Sequence, residues 1–225
     1  SAVFHPVEYD NTASRFYLVS ALVDEGTWAI DTYHESTIDK SFYDGHYYSN
    51  KAPGGALLGV PVYRALRQWT SLGSGYPLTP LLRFWVRIVS TTVPFALLGG
   101  GLVLLAVRLG ATPRAAYGMA LAYGLGTPAW VHGTLFSGHA VTAACLFGAF
   151  GLVAWAVRRR DRDGLGHEGL FLGAGFLAGW AVLTDYPAAL LVAVLTGYVL
   201  VTGWRRRGPW CFLLGGVPPA LILLA

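Results

Sequence analysis

The feature that most constrains this chain is a succession of apolar segments that fills residues 83–225. Most of the segments are about 18 to 22 residues long, and a helix of ~20 residues can cross the ~30 Å hydrocarbon core of a bilayer. Only 12% of the residues are charged, against roughly 25% in a soluble domain. We therefore predict an all-α integral membrane protein with about six transmembrane helices. The predicted spans are 86–107, 114–131, 138–157, 169–184, 186–203 and 209–225.

The first part of the chain, residues 1–82, differs in composition. It holds eight of the twelve acidic residues, and its apolar stretches are short. Residues 14–26 carry apolar side chains at helical spacing and end in Gly26, which is typical of a helix C-cap. Residues 55–69 are too polar to span a bilayer and are typical of an interfacial helix. We predict a loop with juxtamembrane helices over residues 1–82, followed by a transmembrane bundle over 83–225.

Basic residues alternate between the connections of the predicted bundle. Arginines follow the first, third and fifth spans: Arg108, Arg114, Arg158, Arg159, Arg160, Arg162, Arg205, Arg206 and Arg207. The other two connections, around residues 132–137 and around Asp185, contain no lysine or arginine. Because positive charge stays on the cytoplasmic side, we predict a multi-pass protein of the cytoplasmic (inner) membrane with residues 1–82 outside. This clustering between apolar spans also argues against nucleic acid as a partner.

Several polar or ionisable residues fall on the predicted outer side: Asp10, Asn11, Arg15, Asp39, Asp44, His46, Lys51, His132, His139 and Asp185. Such groups at membrane depth are costly and often functional. Structural roles stay open as well. Asp10 can cap a helix, His139 can hydrogen-bond within the bundle, and Asp185 can satisfy backbone groups at a helix break. Asp39 and Asp44 can be ordinary loop residues.

Two basic residues are candidates for binding an anionic group. Lys51 is one of only two lysines and precedes Pro53, Gly54 and Gly55, which can turn the backbone at the membrane surface. A lysine ammonium there can hold a phosphate as a point charge. Arg83 lies at the outer entry to the first predicted span, where it either extends to the interface or binds an anionic lipid headgroup.

Four stretches of the chain carry a resemblance: "NTASRFYLVSALVDEGTWAID", "DGHYYSNKAPGGALLGVPVY", "RIVSTTVPFALLGGGLVLLAVRLG" and "YGLGTPAWVHGTLFSGHAV". Together they resemble the start of bacterial GT-C membrane glycosyltransferases, which are similar to protein O-mannosyltransferases and to the lipid A aminoarabinose transferase. The most specific piece, "DGHYYSNKAPG", resembles the pattern "dGhyYSdKaPG" of that group. The likeness extends over nearly the whole chain.

The resemblance implies transfer of a sugar from a polyprenyl-phosphate carrier to an unknown acceptor outside the membrane, by inverting displacement at the anomeric carbon. It assigns the catalytic base to Asp10, with Asn11 at the neighbouring register, and the donor phosphate to Lys51, with Arg83 as a further candidate. Aromatic and polar residues for packing the sugar and prenyl chain would be Tyr43, His46, Tyr47 and Tyr48. His139 stands where many relatives carry a second aspartate, and Asp39, Asp44 and Asp185 are further second-site candidates.

A divalent metal ion, Mg²⁺ or Mn²⁺, would help to stabilise the leaving phosphate, although no spacing of ligands in the sequence is diagnostic. The chain begins at Ser1 and stops inside an apolar run, so we expect it to be part of a longer one. Cys145 and Cys211 are interpreted as packing residues.

A second class of function stays open. A non-catalytic membrane subunit, derived from the same group and docked onto a larger complex, is favoured by Asn11 beside the base position and by His139. A transporter is less favoured, because charges do not recur along the middle of the spans.

Overall fold

The computed structural model describes residues 10–69, 80–163, 167–203 and 207–224, and within them the chain is mostly helical. One two-stranded antiparallel hairpin interrupts the helices, formed by β1 (Lys40–Tyr43) and β2 (His46–Ser49). The helices are α1 (Asp10–Ser20), α2 (Gly54–Trp69), α3 (Pro80–Arg87), α4 (Val93–Arg108), α5 (Pro113–Gly126), α6 (Ala129–Thr134), α7 (Gly138–Asp163), α8 (Glu168–Thr184), α9 (Ala188–Gly203) and α10 (Gly208–Leu224). The all-α prediction is confirmed at this level.

Within the described residues, two helices are long and apolar enough to cross a membrane. One is the continuous helix Pro80–Arg108, in which α3 and α4 are joined by a π-helical turn, Ile88–Thr92; the other is Gly138–Arg159. Helices α8, α9 and α10 are apolar but only 16 or 17 residues long. Each predicted span overlaps at least one helix, while six crossings of a membrane stay a prediction.

The predicted span 114–131 is wrong as a single helix. Helix α5 ends at Gly126, and Thr127 is extended, with φ −127° and ψ 168°. Pro128 is the cause, because a proline pushes the residue before it out of the helical region and lacks the N–H that a continuing helix needs. The chain restarts as the short helix α6.

Helix α1 and its surroundings form the core of the first part. It is buried on all its faces from Thr12 to Ser20, continues as a π-helical turn, Ala21–Glu25, and ends at Gly26 with φ 70°. The predicted C-cap is therefore confirmed, since glycine adopts the left-handed conformation without steric cost. Side chains of α1, α2 and α3 pack together with Phe136, which precedes α7: Phe16, Val19, Tyr63, Leu82 and Val86 are fully or almost fully buried.

Glycines set the closest approach between the apolar helices α8 and α10. A Cβ at Gly175 would collide with the Phe212 carbonyl, and one at Gly215 would collide with the Leu172 carbonyl. Without side chains at these two positions the helix backbones touch, as is common between membrane helices. Helix α8 also packs on α7 around Ala149, Val153 and other small side chains.

Helices α7 and α8 run antiparallel, with the beginning of α7 beside the end of α8. A Cβ at Gly138, the first residue of α7, would lie 2.9 Å from the carbonyl oxygen of Thr184, the last residue of α8. The start of α2 joins them, because a Cβ at Gly54 would lie 2.9 Å from the Leu183 carbonyl oxygen. Three helix ends therefore meet at one point, together with α1.

Candidate functional site

Arg15 lies at the centre of this meeting point. It is buried within α1, with 7% of its surface exposed, and its Nε donates to Asn11 Oδ1 at 3.4 Å while one terminal nitrogen donates to the Ala52 carbonyl at 3.2 Å. The other terminal nitrogen would be 3.2 Å from a Cβ at Gly138. The absence of a side chain at Gly138 thus makes room for the guanidinium at the start of α7.

Burial lowers the pKa of Arg15, and the neighbouring Asp185, Asp39 and Tyr186 oppose this effect. An arginine nevertheless keeps its charge in proteins. A buried cation of this kind needs nearby negative or carbonyl groups, because an unpaired buried charge is very costly. The surroundings of Arg15 supply both.

Lys51 and Asp39 form the second part of the site. Lys51 Nζ lies 3.1 Å from Asp39 Oδ2, and both side chains are about three-quarters buried. The Asp39 backbone is held to α1, because the Ser14 hydroxyl donates to its carbonyl at 2.7 Å. Ser14 also lies 2.7 Å from the hydroxyl of Ser49 at the end of β2. These bonds hold the segments before and after the hairpin against α1.

His139 and Asp185 form the third part. The two residues are 46 positions apart, and His139 Nδ1 lies 2.7 Å from Asp185 Oδ2. The His132 ring meets the His139 ring edge-on, with 4.8 Å between centroids, and His132 Nδ1 lies 3.3 Å from the Ser137 hydroxyl. Burial lowers the pKa of His132, and the neighbouring His139 lowers it further. We call Arg15, Asp39, Lys51, His139 and Asp185 the Arg15 cluster.

Asp10 and Asn11 lie at the edge of this cluster. Both are exposed at the beginning of α1. Asp10 Oδ1 accepts a hydrogen bond from the Ile38 backbone N–H at 3.2 Å, so the carboxylate links α1 to the segment that leads into Asp39. Asn11 accepts the hydrogen bond from Arg15.

The far end of the hairpin carries three of the predicted packing or second-site residues. Asp44 and Gly45 have φ values of 49° and 84° and form the turn, and exposed Tyr43 and His46 face each other across it. His46 is bound through Nδ1 to Asp31 Oδ2 at 2.6 Å. A strand rises ~3.3 Å per residue, so the turn lies roughly 10 Å along the hairpin from Ser49. The structure therefore does not bring Tyr43, Asp44 or His46 to the Arg15 cluster.

Tyr47 and Tyr48 have structural contacts of their own. Tyr47 stacks on His34 with 4.1 Å between ring centroids, and its backbone N–H donates to Asp31 Oδ1 at 2.7 Å. Tyr48 is half-buried and forms an isolated bridge with Ala29. Their contacts attach the hairpin to the first part of the chain.

Arg83 lies on α3, one turn before Val86. Val86 contacts the middle of α2, since a Cβ at Gly59 would approach its Cγ1 to 2.9 Å. Gly59 is about two helical turns beyond the start of α2. Arg83 therefore flanks α2, and its role in binding the donor phosphate stays a prediction.

Among the described residues, no group of three or more His, Cys, Asp or Glu side chains could hold a metal ion. Asp39 is paired with Lys51, and Asp185 with His139. The described residues thus show no metal-binding group, and we derive no step through a divalent metal.

An apolar groove of about 500 Å³ lies near the cluster, between α4, α7 and α8. Leu58, from the second turn of α2, lines it together with Leu98, Phe147, Phe176 and Trp180. The buried Nε1 of Trp180 has no hydrogen-bond partner within the described part of the chain. The groove is suited to an apolar chain that carries few polar groups.

The sequence places Arg15 among the polar residues of the predicted outer side but assigns it no specific role. It was recognisable as a basic side chain on an otherwise apolar helical stretch. Its importance depends on Ala52, Gly138 and Asp185, which are 37 or more positions away.

Comparison of the chain with known protein families, curated proteins and solved structures finds no match in any of the three.

Proposed function

We propose that this protein is an integral membrane glycosyltransferase of the GT-C type, which moves a sugar from a polyprenyl-phosphate donor to an acceptor outside the cytoplasm. The observation that carries the proposal is that two cations, Arg15 and Lys51, have Asp39 as a common neighbour at the ends of apolar helices. A His–Asp pair lies at the same point, and the apolar groove begins nearby at α2. The two cations suit a phosphate, and the apolar groove suits a prenyl chain.

The proposed arrangement in the membrane has six crossings, with the Arg15 cluster on the extracytoplasmic side. Arg108 ends α4, Arg114 begins α5, Arg158 and Arg159 lie in the last turns of α7, and Arg207 precedes α10. These are the helix ends opposite to Gly138 and Thr184 along the chain. Arg205 and Arg206 lie outside the described residues. The separation supports cytoplasmic arginines and an outer site.

The chemistry follows from these charges. The leaving polyprenyl phosphate carries negative charge, and Lys51 and Arg15 stabilise it as the bond to the anomeric carbon breaks. Asp39 keeps the Lys51 ammonium in place until the phosphate binds. The acceptor hydroxyl must also lose a proton, and two groups are candidates for taking it: Asp10, which the resemblance assigns, and His139.

The test of the proposed function is donor binding by the full chain in lipid nanodiscs. The probe is C55 polyprenyl-phosphate mannose, compared with C55 polyprenol, which lacks the phosphate. We expect Lys51→Ala to weaken binding of the phosphate-containing probe about 10- to 100-fold, the usual effect of losing a charge-assisted hydrogen bond. Lys51→Arg should restore it only in part, because guanidinium geometry differs.

Lys40→Ala is the matched control, since it removes the only other lysine of the chain. Lys40 lies on β1 and donates to the His34 carbonyl. Equal losses in the two alanine variants would mean a general effect of net charge and would contradict the assignment. A wild-type protein that binds neither probe would favour the non-catalytic subunit instead.

A further inference from the structure

The side chain of His139 makes a contact with Asp185 that the stability of the bundle does not require. His139 is the second residue of α7, its side chain is 58% exposed, and Asp185 immediately follows α8. Exposed ion pairs contribute only about 0–1 kcal/mol, and Gly138, Gly54 and Arg15 already hold these helix ends together. The pair therefore calls for another explanation.

Its geometry is that of an imidazole oriented by a carboxylate. Asp185 Oδ2 lies 2.7 Å from Nδ1, so Nδ1 carries the proton of a neutral ring and Nε2 presents a lone pair. Asp185 would also stabilise the imidazolium that forms when Nε2 takes up a proton. The adjacent Gly138 lies against the Arg15 guanidinium, so this lone pair is near the proposed phosphate site.

We propose that His139 is the catalytic base of the transfer and that Asp185 is its positioning residue; this inference rests on the proposed function. Nε2 of His139 takes the proton of the acceptor hydroxyl, and the hydroxyl oxygen forms a bond to the anomeric carbon. The bond from that carbon to the phosphate oxygen breaks, and its electron pair leaves with the polyprenyl phosphate. Arg15 and Lys51 neutralise the negative charge of this leaving group.

One contact in the structure and one chemical argument favour His139 over Asp10. Asp10 Oδ1 already accepts the Ile38 backbone N–H, which ties the carboxylate to a structural link. In addition, a base works best when its proton affinity matches the operating pH, and an imidazole meets this condition near neutrality better than a carboxylate in water does.

The first test is turnover of C55 polyprenyl-phosphate mannose by the full chain in nanodiscs, measured as released polyprenyl phosphate. This readout records transfer to water as well as to added Ser/Thr peptides. We expect His139→Asn to lower kcat about 10²- to 10⁴-fold, with donor binding within about two-fold of wild type, since the amide can still donate to Asp185. His167→Asn is the matched control, because His167 lies at the opposite end of α8 with φ 47°, which asparagine tolerates.

The second test is the pH profile of kcat/KM. Asp185 after α8 and His132 on α6 contact His139, and Arg15 on α1 lies near Asp185 and Tyr186. Activity should fall on the acid side as the base becomes protonated. Asp185→Asn should lower kcat while donor binding stays within about two-fold of wild type, because the imidazole loses the carboxylate that orients it, whereas a purely structural role of Asp185 would reduce donor binding and turnover together.

The third test needs no turnover. Diethyl pyrocarbonate modifies neutral, accessible imidazoles, and mass spectrometry locates the product. We expect His139 to be modified, and C55 polyprenyl-phosphate mannose to protect it while leaving His167 reactive. Modification of His139 that the donor does not slow would remove it from the site.

The outcomes separate the two proposals. A wild type that releases no polyprenyl phosphate defeats the proposed function and this inference with it. A wild type that turns over, with His139→Asn at the same rate, defeats the inference alone. The inference is also defeated if Asp10→Asn loses turnover while His139→Asn keeps normal turnover, because Asp10 would then be the base.

Discussion

At the scale of single residues, the Arg15 cluster is organised around a buried charge. The energetic cost of burying the guanidinium is offset by Asn11, the Ala52 carbonyl and the nearby Asp39 and Asp185. Because these partners come from four separate segments, the charge selects one arrangement of α1, α2, α7 and α8.

A prediction at this scale concerns Asp10. We expect Asp10→Asn to lower turnover less than about ten-fold, because the amide oxygen can still accept the Ile38 N–H while the base is elsewhere. A loss of 10²- to 10⁴-fold, the usual share of general base catalysis, would instead identify Asp10 as the base. The measurement is the rate at which Asp10→Asn and the wild type release polyprenyl phosphate.

Asn11→Ala is the control for the neighbouring register. Asn11 accepts from Arg15, so we expect this variant to weaken donor binding through a less well oriented guanidinium and to leave the acid limb of the pH profile unchanged. A change in that limb would assign Asn11 a part in proton transfer.

At the scale of elements, helices were easier to predict than the hairpin. The predicted segments 14–26, 55–69 and 138–157 all coincide with helices, since apolar residues at helical spacing are a long-range, repeated signal. The hairpin was missed although Asp44-Gly45 was visible, a dipeptide that favours a turn with two positive φ values. Its strands alternate poorly between buried and exposed residues, so only the turn signal was present.

A prediction at this scale concerns the α8–α10 interface. We expect Gly215→Ala to destabilise the protein by about 1–3 kcal/mol, the usual effect of overpacking, because the added methyl group would press on the Leu172 carbonyl. The measurement is the thermal unfolding midpoint in detergent, where 1 kcal/mol corresponds to roughly 2–4 °C for a chain of this size.

Gly197→Ala on α9 is the matched control. A Cβ there meets nothing within 4 Å, so we expect an unchanged or slightly higher midpoint, since alanine favours a helix by about 0.5–1 kcal/mol over glycine. Equal effects of the two substitutions would show that the close approach of α8 and α10 has no energetic weight.

At the scale of the whole molecule, the helix ends that carry the Arg15 cluster are not the helix ends that carry the other arginines. Arg15, Lys51, His139 and Asp185 meet at one end of α7 and α8, while residues 158–163 end α7 at the other. This separation is the pattern that a membrane protein with an extracytoplasmic site requires.

The corresponding prediction is the membrane topology. After Cys145 and Cys211 are replaced by alanine, single cysteines introduced as Asp44→Cys and Ser137→Cys should react with an impermeant maleimide added to intact cells. Arg160→Cys should react only after the membrane is permeabilised. Labelling at position 160 in intact cells would overturn the proposed orientation.

The sequence by itself determined the helical class, the positions of most helices, the C-cap at Gly26 and the uneven distribution of charge. These properties depend on periodicity and composition, which can be read from short stretches of sequence. The tertiary structure alone decided that Arg15 lies beside Gly138 and that His139 meets Asp185, 46 residues away. The structure also places Tyr43, Asp44 and His46 away from the cluster, because the turn at Asp44-Gly45 puts them at the far end of the hairpin. Such contacts depend on which helix ends meet. Gly54 and Gly138 are needed for this close approach, but nothing in the sequence around them indicates which helix they contact.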